Sequence, residues 1–247
     1  MSEVKTNKIS SVSTNGDITL DPDGTGDVVV ASGHKLGIGT TSPALPLEVN
    51  GSTNVAVFRS DASNSIIQLA NSTGTGGDNG TLVGSVGDDL YFRAGDAERM
   101  RIDASGRVTM PNQPAFSVKP ASNQTNLTAD ANVTVVMDSE IYDVGANFAS
   151  NTFTAPVTGK YILSFILYGS QLAGDVSYME TAIETSNRTY VNIQEPSGSE
   201  SVYAGTTVTA VADMDANDTA NCRVTVGGSS STFDIANVSI FSGALIC

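Results

Sequence analysis

Apolar and polar residues alternate along several long segments in the C-terminal half of the chain. In Ala220–Val226, for example, small and branched apolar residues alternate with Asn221, Arg223 and Thr225. Such strands bury one face and leave the other to solvent or to a neighbouring chain. The pattern predicts six long strands, at Lys160–Tyr168, Tyr178–Ser186, Thr189–Gln194, Val202–Val211, Ala220–Val226 and Phe233–Ile246.

The middle of the chain, about Leu47 to Pro111, has a shorter rhythm. Short apolar runs are separated by glycine-containing turns roughly every eight residues, a spacing typical of meandering β structure. Arg99–Asp103 alternates especially clearly. The predicted strands are Val55–Ser60, Ser65–Asn71, Thr81–Val86, Leu90–Ala94, Arg99–Asp103 and Arg107–Met110.

The first 46 residues contain two short β segments, Ile18–Leu20 and Asp27–Val30. The residues between them, Asp21–Gly26, include proline and glycine and predict a tight turn. An isolated hairpin of this size buries too little surface to be stable alone. The chain therefore divides into three regions, 1–46, 47–111 and 112–247, and the first is expected to need neighbouring chains or a docking site.

The composition agrees with an all-β protein and excludes several classes of function. The formal net charge is −14, from 12 Lys and Arg against 26 Asp and Glu, which disfavours nucleic acid and anionic membranes as partners. The first ten residues lack the apolar core of a signal peptide, and no apolar run approaches the roughly 20 residues of a membrane span. We expect no secretion and no membrane insertion. Two cysteines, Cys222 and Cys247, exclude a disulfide framework.

The sequence offers few residues for catalysis, and the prediction is that the protein is not an enzyme. His34 is the single histidine and follows a glycine, with no candidate nucleophile nearby, so neither a catalytic triad nor a zinc cluster is predicted. Acids are available in the C-terminal region, but acid–base chemistry needs a pair about 5 to 10 Å apart in a cleft, which a sequence does not establish. These acids are Glu180, Glu184, Glu195 and Glu200.

One acidic loop is a candidate for calcium. Asp213, Asp215 and Asp218 place three carboxylates within six residues between two predicted strands. Calcium takes six or more oxygen ligands, so the local set is incomplete, and a solvated acidic loop is the favoured interpretation. The Asp21–Asp27 segment fails as an EF-hand loop because Ser32 stands where the twelfth-position Glu is needed.

The segment Ile141–Phe165 resembles the core of the complement-C1q-type globular head, a trimeric jelly roll related to the tumour-necrosis-factor superfamily. It carries spaced aromatics and a turn at Pro156–Gly159; Asn237–Ile246 is similar to the family's closing strand and Phe116–Val118 to its first. Leu163 stands where the family usually has Phe, and no collagen triplets precede the head. The resemblance implies a binding domain rather than an enzyme. It also implies core or trimer packing for Phe148, Phe153, Tyr161, Phe165 and Phe241.

Three earlier segments are similar to bacteriophage tail-fibre proteins. They are Asn15–Gly26, the Gly-Ile-Gly-Thr-Thr-Ser-Pro run of Leu36–Pro43 followed by Leu47–Gly51, and Glu98–Val108. The resemblance implies that residues 1–46 attach to other virion proteins and that residues 47–111 form a short intertwined β shaft. The shaft would take the place of the collagen stalk.

The expected fold is therefore all-β and homotrimeric, with a short intertwined β shaft followed by a C-terminal jelly-roll (C1q/TNF-like) head at residues 112–247. The expected function is that of a phage virion fibre that displays the head for adhesion to a host surface glycan or protein. The alternatives are a purely structural capsid-decorating or tail-stabilising fibre, and a bacterial surface or spore-coat protein. Recognition is expected in loops at the far end of the head, at Tyr168–Val176, Glu195–Tyr203 and Gly227–Thr232.

Overall fold

A computed structural model describes residues 29–51, 56–69, 80–195, 201–228 and 231–246. The chain divides into two compact units, Met1–Ser65 and Ile66–Cys247. The described residues form β-strands and no helix, which confirms the all-β prediction. Within the same ranges, no helix is long and apolar enough to span a membrane.

In the first unit, the Gly-Ile-Gly-Thr segment forms a short parallel ladder. Strand β1 (Leu36–Ile38) pairs with β2 (Leu47–Val49), and the Asn50 amide donates to the Ile38 carbonyl at 2.8 Å. Gly39 has a φ of +72°, and a Cβ there would lie 2.1 Å from the Asn50 carbonyl oxygen. The close crossing of the two chain segments therefore requires glycine at this position.

Two sequence predictions in this unit need comment. The predicted strand Ile18–Leu20 lies outside the described residues, as does the first part of Asp27–Val30; its last two residues, 29 and 30, form no strand. The predicted strand Val55–Ser60 is wrong, because residues 56–60 have no regular structure. The Phe58 carbonyl accepts a bond from the Ser65 hydroxyl at 3.0 Å in place of a ladder amide.

A five-stranded antiparallel meander follows and largely matches the predicted rhythm. Its strands lie in sequence order and turn at left-handed residues, Gly87, Gly95, Asp96 and Gly106. Positive φ at these corners is what glycine and aspartate tolerate best. The strands are β3 (Asn64–Gln68), β4 (Leu82–Val86), β5 (Asp89–Ala94), β6 (Ala97–Ile102) and β7 (Val108–Thr109).

The head contains the remaining thirteen strands of the described chain. The two longest have 14 residues each and pair along nearly their whole length, from Gly159 opposite Met214 to Leu172 opposite Ser201. The strands are β8 (Ala115–Lys119), β9 (Gln124–Thr128), β10 (Val133–Thr134), β11 (Ser139–Val144), β12 (Phe148–Ala149), β13 (Thr152–Thr154), β14 (Gly159–Leu172), β15 (Tyr178–Thr185), β16 (Thr189–Gln194), β17 (Ser201–Met214), β18 (Thr219–Gly227), β19 (Thr232–Ile235) and β20 (Ile240–Leu245).

These strands form two sheets with jelly-roll connections. Sheet I has the order β11-β8-β20-β14-β19-β9, with β17 on the other edge of β14. Sheet II has the order β12-β13-β18-β15-β16, with β10 also on β18. Among the described strands, the chain changes sheet eight times, between β9 and β10, β10 and β11, β11 and β12, β13 and β14, β14 and β15, β16 and β17, β17 and β18, and β18 and β19. This alternation makes the domain a jelly roll, the head architecture expected from the sequence.

An aromatic cluster joins the two sheets at the centre of the head. The Phe116 ring stacks on Phe153 and Phe148, with centroids 4.5 and 5.4 Å away, and meets Phe241 edge-on at 5.0 Å. Tyr161 packs on Phe153 at 5.5 Å, and its hydroxyl donates to a loop carbonyl at 2.8 Å, so its polar end is satisfied. The five aromatic residues singled out in the sequence all lie in the buried core: Phe148, Phe153, Tyr161, Phe165 and Phe241.

The last predicted strand is divided in two. Phe233–Ile246 is interrupted between β19 and β20 by a turn in which the Ser239 amide bonds to the Ala236 carbonyl at 3.0 Å. The Ser239 hydroxyl then accepts the Tyr168 amide at 2.9 Å. A single strand is wrong here because this turn satisfies backbone groups of β14 at the point where β14 passes from β20 to β19.

The fully buried Phe153 provides a test of this core. Replacing Phe153 with Ala removes a ring that contacts both Phe116 and Tyr161, and we expect the free energy of unfolding to fall by about 3–5 kcal/mol in urea denaturation. The control is Val157→Ala, because that side chain is 46% exposed. Equal losses in the two variants would contradict the packing described.

Candidate functional site

Strand β14 is apolar on both of its faces. The residues that point into the head, from Tyr161 to Leu167 at alternate positions, are at most 1% exposed. The intervening residues point outward, and Ile162, Ile166 and Tyr168 are 42, 46 and 37% exposed. A two-sided apolar strand is typical of a strand covered on both sides.

Neighbouring strands extend this outer surface of sheet I. Val211 on β17 lies opposite Ile162, and the Tyr203 ring is 5.4 Å from that of Tyr168. Both added side chains are more than half exposed. We call the set Ile162, Ile166, Tyr168, Tyr203 and Val211 the apolar face. Contiguous exposed apolar patches of this kind mark interaction surfaces.

A row of hydroxyls crosses the apolar face. Ser164 and Thr209 are hydrogen-bonded at 2.9 Å, and Ser242 lies opposite Ser164 in the register of β20. The row runs across the three strands β17, β14 and β20, and it separates Ile162 from Ile166 on β14. The surface is therefore apolar with one polar line, a pattern that can fix the position of a partner.

The outer surface of sheet II carries an ion-pair network on β15 and β18 beside exposed apolar side chains on β16, Val191 and Ile193. Arg223 lies between Glu180 and Glu184, with N···O distances of 2.6 Å to each carboxylate, and its side chain is only 12% exposed. Its third nitrogen donates to Thr225 at 2.7 Å and to Asn132 at 3.0 Å. The structure thus places the two candidate acids on one shared guanidinium, whose single positive charge offsets one of the two negative charges. Glu195 directly follows the last residue of β16, and Glu200 lies outside the described residues.

The register defines two ends of the head. The connections β14–β15, β16–β17 and β18–β19 share one end, which we call the distal end. The three predicted recognition segments lie there, although Tyr168–Leu172 is strand and residues 196–200 and 229–230 are not described. The chain enters at Ala115, opposite Ala244 and beside Ile162, so the other end is the basal end.

A polar cleft of about 250 Å³ lies at the basal end. One side is the β15–β16 turn with the start of β16, and the other is the end of β17 with the β17–β18 turn. Its lining residues are Asn187, Arg188, Tyr190, Asp213 and Asp215, and we call it the basal cleft.

Asp218 connects the two sides of the basal cleft. Its carboxylate accepts the Ser186 hydroxyl at 2.8 Å and the Asn187 side-chain amide at 2.5 Å, both from the β15–β16 turn. It also accepts the Asp215 backbone amide at 2.8 Å, within its own turn. These bonds, led by that from the Asp215 amide, hold the pKa of Asp218 below its usual value.

The three calcium candidates are not gathered around one point. Asp213 forms an ion pair with Lys160, Asp215 lies 3.4 Å from the Thr158 hydroxyl, and Asp218 makes the bonds given above. In the part of the chain that the structure describes, no group of three or more His, Cys, Asp or Glu side chains is arranged to hold a metal ion. Calcium binding at these aspartates stays a prediction.

The other reactive side chains occupy structural positions. His34 follows a turn in which its amide bonds to the Ala31 carbonyl at 3.1 Å, and the residue is exposed. Cys222 is fully buried in the core, and burial raises the pKa of its thiol well above the usual value. A buried thiol of this kind is unreactive.

Sequence reasoning did not find the basal cleft. Asn187, Arg188 and Tyr190 come together with the Asp213–Asp218 loop because β15 pairs with β18 and β17 pairs with β14. The sequence does show two short polar turns that each follow a long strand. The alternation of apolar and polar residues does not predict strand order, however, and strand order decides that these turns lie next to each other.

Comparison with known proteins supplies fold similarity alone. No family model matches the chain, and no curated protein matches it. Among solved structures, the globular domain of zebrafish complement 1qA is 18% identical, with a TM-score of 0.40, covering 55% of this chain and 98% of that one. Murine APRIL at pH 8.0 is 10% identical, with a TM-score of 0.42, covering 54% and 99%. Part of this chain is similar to these two structures, and the jelly-roll assignment of the head rests on its own strand order.

The lowered pKa of Asp218 predicts a pH effect. A carboxylate with a depressed pKa in the folded state stabilises the protein above its unfolded pKa of about 3.9, and this contribution is lost as the pH falls through the folded value. We expect Asp218→Asn to unfold at a lower temperature than the parent at pH 7. The difference between the two melting temperatures should shrink as the pH falls below about 4.

Glu195→Asn is the control for that measurement, since Glu195 is exposed at the distal end. A pH-independent difference between the Asp218 variant and the parent would contradict the role given to this carboxylate.

Proposed function

We propose that the protein is a homotrimeric bacteriophage virion fibre whose jelly-roll head adheres to a host surface. The apolar face carries the proposal, because a single chain leaves Ile162, Ile166 and Val211 exposed on the broad side of its longest strands. Other copies of the same chain carry the same apolar face and can therefore cover it. Three copies related by a rotation axis close a ring without leaving an unpaired face.

Burial of the apolar face would contribute favourably to assembly. Burying a whole Ile side chain contributes about 1.5–3 kcal/mol, so the exposed half of each contributes roughly 1 kcal/mol. The apolar face has two isoleucines, one valine and two tyrosines per copy, and the assembly repeats them three times. The hydroxyl row of Ser164, Thr209 and Ser242 would set the register, because an aligned partner could use the hydrogen-bonding capacity that the Ser164–Thr209 bond leaves.

Exposed apolar residues before the head support an intertwined shaft. The meander leaves apolar side chains uncovered within one chain, as does the short ladder of β1 and β2. Partner copies that complete strand edges would cover them. The exposed residues include Leu36, Ile38 and Leu47 in the first unit and Ile66, Ile67, Leu90, Val108 and Met110 at or after its boundary.

The phage assignment is supported by the fibre-like segments. The Gly-Ile-Gly-Thr run forms a compact ladder whose glycine at position 39 is required by a close backbone approach, so the motif has a structural reason to recur. In the proposed arrangement, residues 1–46 bind other virion proteins, residues 47–111 form the shaft, and the head projects. Adhesion would be multivalent and without catalysis, with weak contacts summed over several heads.

A charge on the apolar face should prevent trimer formation. We expect Ile166→Asp to sediment as a monomer in analytical ultracentrifugation, because three buried carboxylates would meet in one interface. The matched control is Ile193→Asp, on the outer face of sheet II, where the isoleucine is 57% exposed. Trimers from both variants, or monomers from both, would contradict the proposed interface.

Adhesion itself is tested with the full chain. The purified protein should bind saturably to cells of the bacterium that the parent particle infects, and excess protein should reduce infection. Trimeric protein that neither binds these cells nor competes would sink the adhesive role and leave the purely structural fibre.

A further inference from the structure

The basal cleft has the composition of a site for a small, uncharged, hydroxyl-rich ligand. Arg188 can only donate hydrogen bonds, whereas Asp213 and Asp215 can only accept them, and Asn187 does both. A hydroxyl group both donates and accepts. A molecule with several adjacent hydroxyl groups can therefore form hydrogen bonds with all four of these side chains at once.

Tyr190 adds an aromatic surface to this polar set. The residue is half-buried and packs against the core, so its ring is held in place while it lines the cleft. A pyranose ring has an apolar face of C–H groups that can pack on an aromatic ring. Small-molecule sites commonly combine such an apolar surface with a few placed polar groups.

The cleft is organised before any ligand arrives. Asp218 ties the β15–β16 turn to the β17–β18 turn through two hydrogen bonds of 2.8 and 2.5 Å, and a third bond from the Asp215 amide fixes Asp218 within its own turn. Beside it, Asn192 connects the edges of the two sheets by donating to the Thr207 carbonyl at 2.8 Å. A preorganised site loses less conformational entropy on binding.

Other ligand classes fit less well. An anion would meet two carboxylates in a chain whose formal net charge is −14. A bare cation would meet Arg188, and the described residues contain no metal-ligating group of three. An apolar ligand would strip water from four polar side chains without replacing their hydrogen bonds. The volume of about 250 Å³ is small and suits one sugar ring.

We propose that the basal cleft binds one residue of a neutral sugar, with Asp213, Asp215, Arg188 and Asn187 on its hydroxyls and Tyr190 beside its ring. The proposal rests on the adhesive function given above and names the class of host ligand. It also assigns recognition to the basal end instead of the distal loops.

The test is a titration of the full-length protein with free methyl glycosides of glucose and galactose and with N-acetylglucosamine, followed by protein-observed NMR. At least one sugar should give saturable shifts at the basal cleft. Asp213→Asn and Arg188→Gln should each weaken that binding by about tenfold, as expected for loss of a hydrogen bond to a charged group. Asp213 and Lys160 are exposed, so losing their ion pair should cost little stability.

Glu195→Gln, a carboxylate-to-amide change at the distal end, should bind the sugar like the parent. Absence of shifts with all three sugars, equal weakening in the Glu195 variant, or shifts caused only by calcium chloride would each overturn the proposal. Sugar binding at the cleft without cell binding would refute adhesion while the cleft assignment stands. Cell binding unaffected by Asp213→Asn would keep adhesion and reject the cleft as its site.

Discussion

The head depends on the burial of β14 from both sides. This strand runs through the middle of sheet I and carries apolar residues toward both of its faces. The aromatic cluster of Phe116, Phe153 and Tyr161 covers the inner face. In the described part of the chain nothing comparable covers Ile162 and Ile166, so these residues account for the burial of only one face of the strand.

The two sheets have different outer surfaces, and this difference organises the function. On sheet II, Arg223 bonds to both Glu180 and Glu184 and is nearly buried. Sheet I presents branched and aromatic side chains with one line of hydroxyls, a surface suited to copies of itself. The basal cleft lies where the edges of the two sheets meet, and its polarity distinguishes it from the apolar face.

Local pattern was sufficient for much of the strand content. Thr189–Gln194 was predicted with the observed bounds, and the five aromatic residues that the family resemblance assigned to core or trimer packing are buried in the head. Alternation reports burial directly, because each strand residue faces one side or the other. The paired length of β14 and β17 was underestimated, since polar residues such as Ser170, which lies opposite Tyr203, continue a strand when a long partner offers hydrogen bonds.

The errors share a cause outside local pattern. Val55–Ser60 alternates but has no ladder in the described chain, and Phe233–Ile246 is broken by a turn that serves a neighbouring strand. The basal cleft was missed for the same reason, because its two turns are more than twenty residues apart and meet only through strand order. These features depend on which strands pair, and the sequence pattern of one strand does not predict its pairing partner.

The central claim is that copies of this chain cover the apolar face. The most direct measurement is the mass of the unmodified full-length protein by light scattering over a dilution series. The account predicts three times the chain mass of 25.4 kDa, maintained on dilution. A mass of one chain at all concentrations would contradict it.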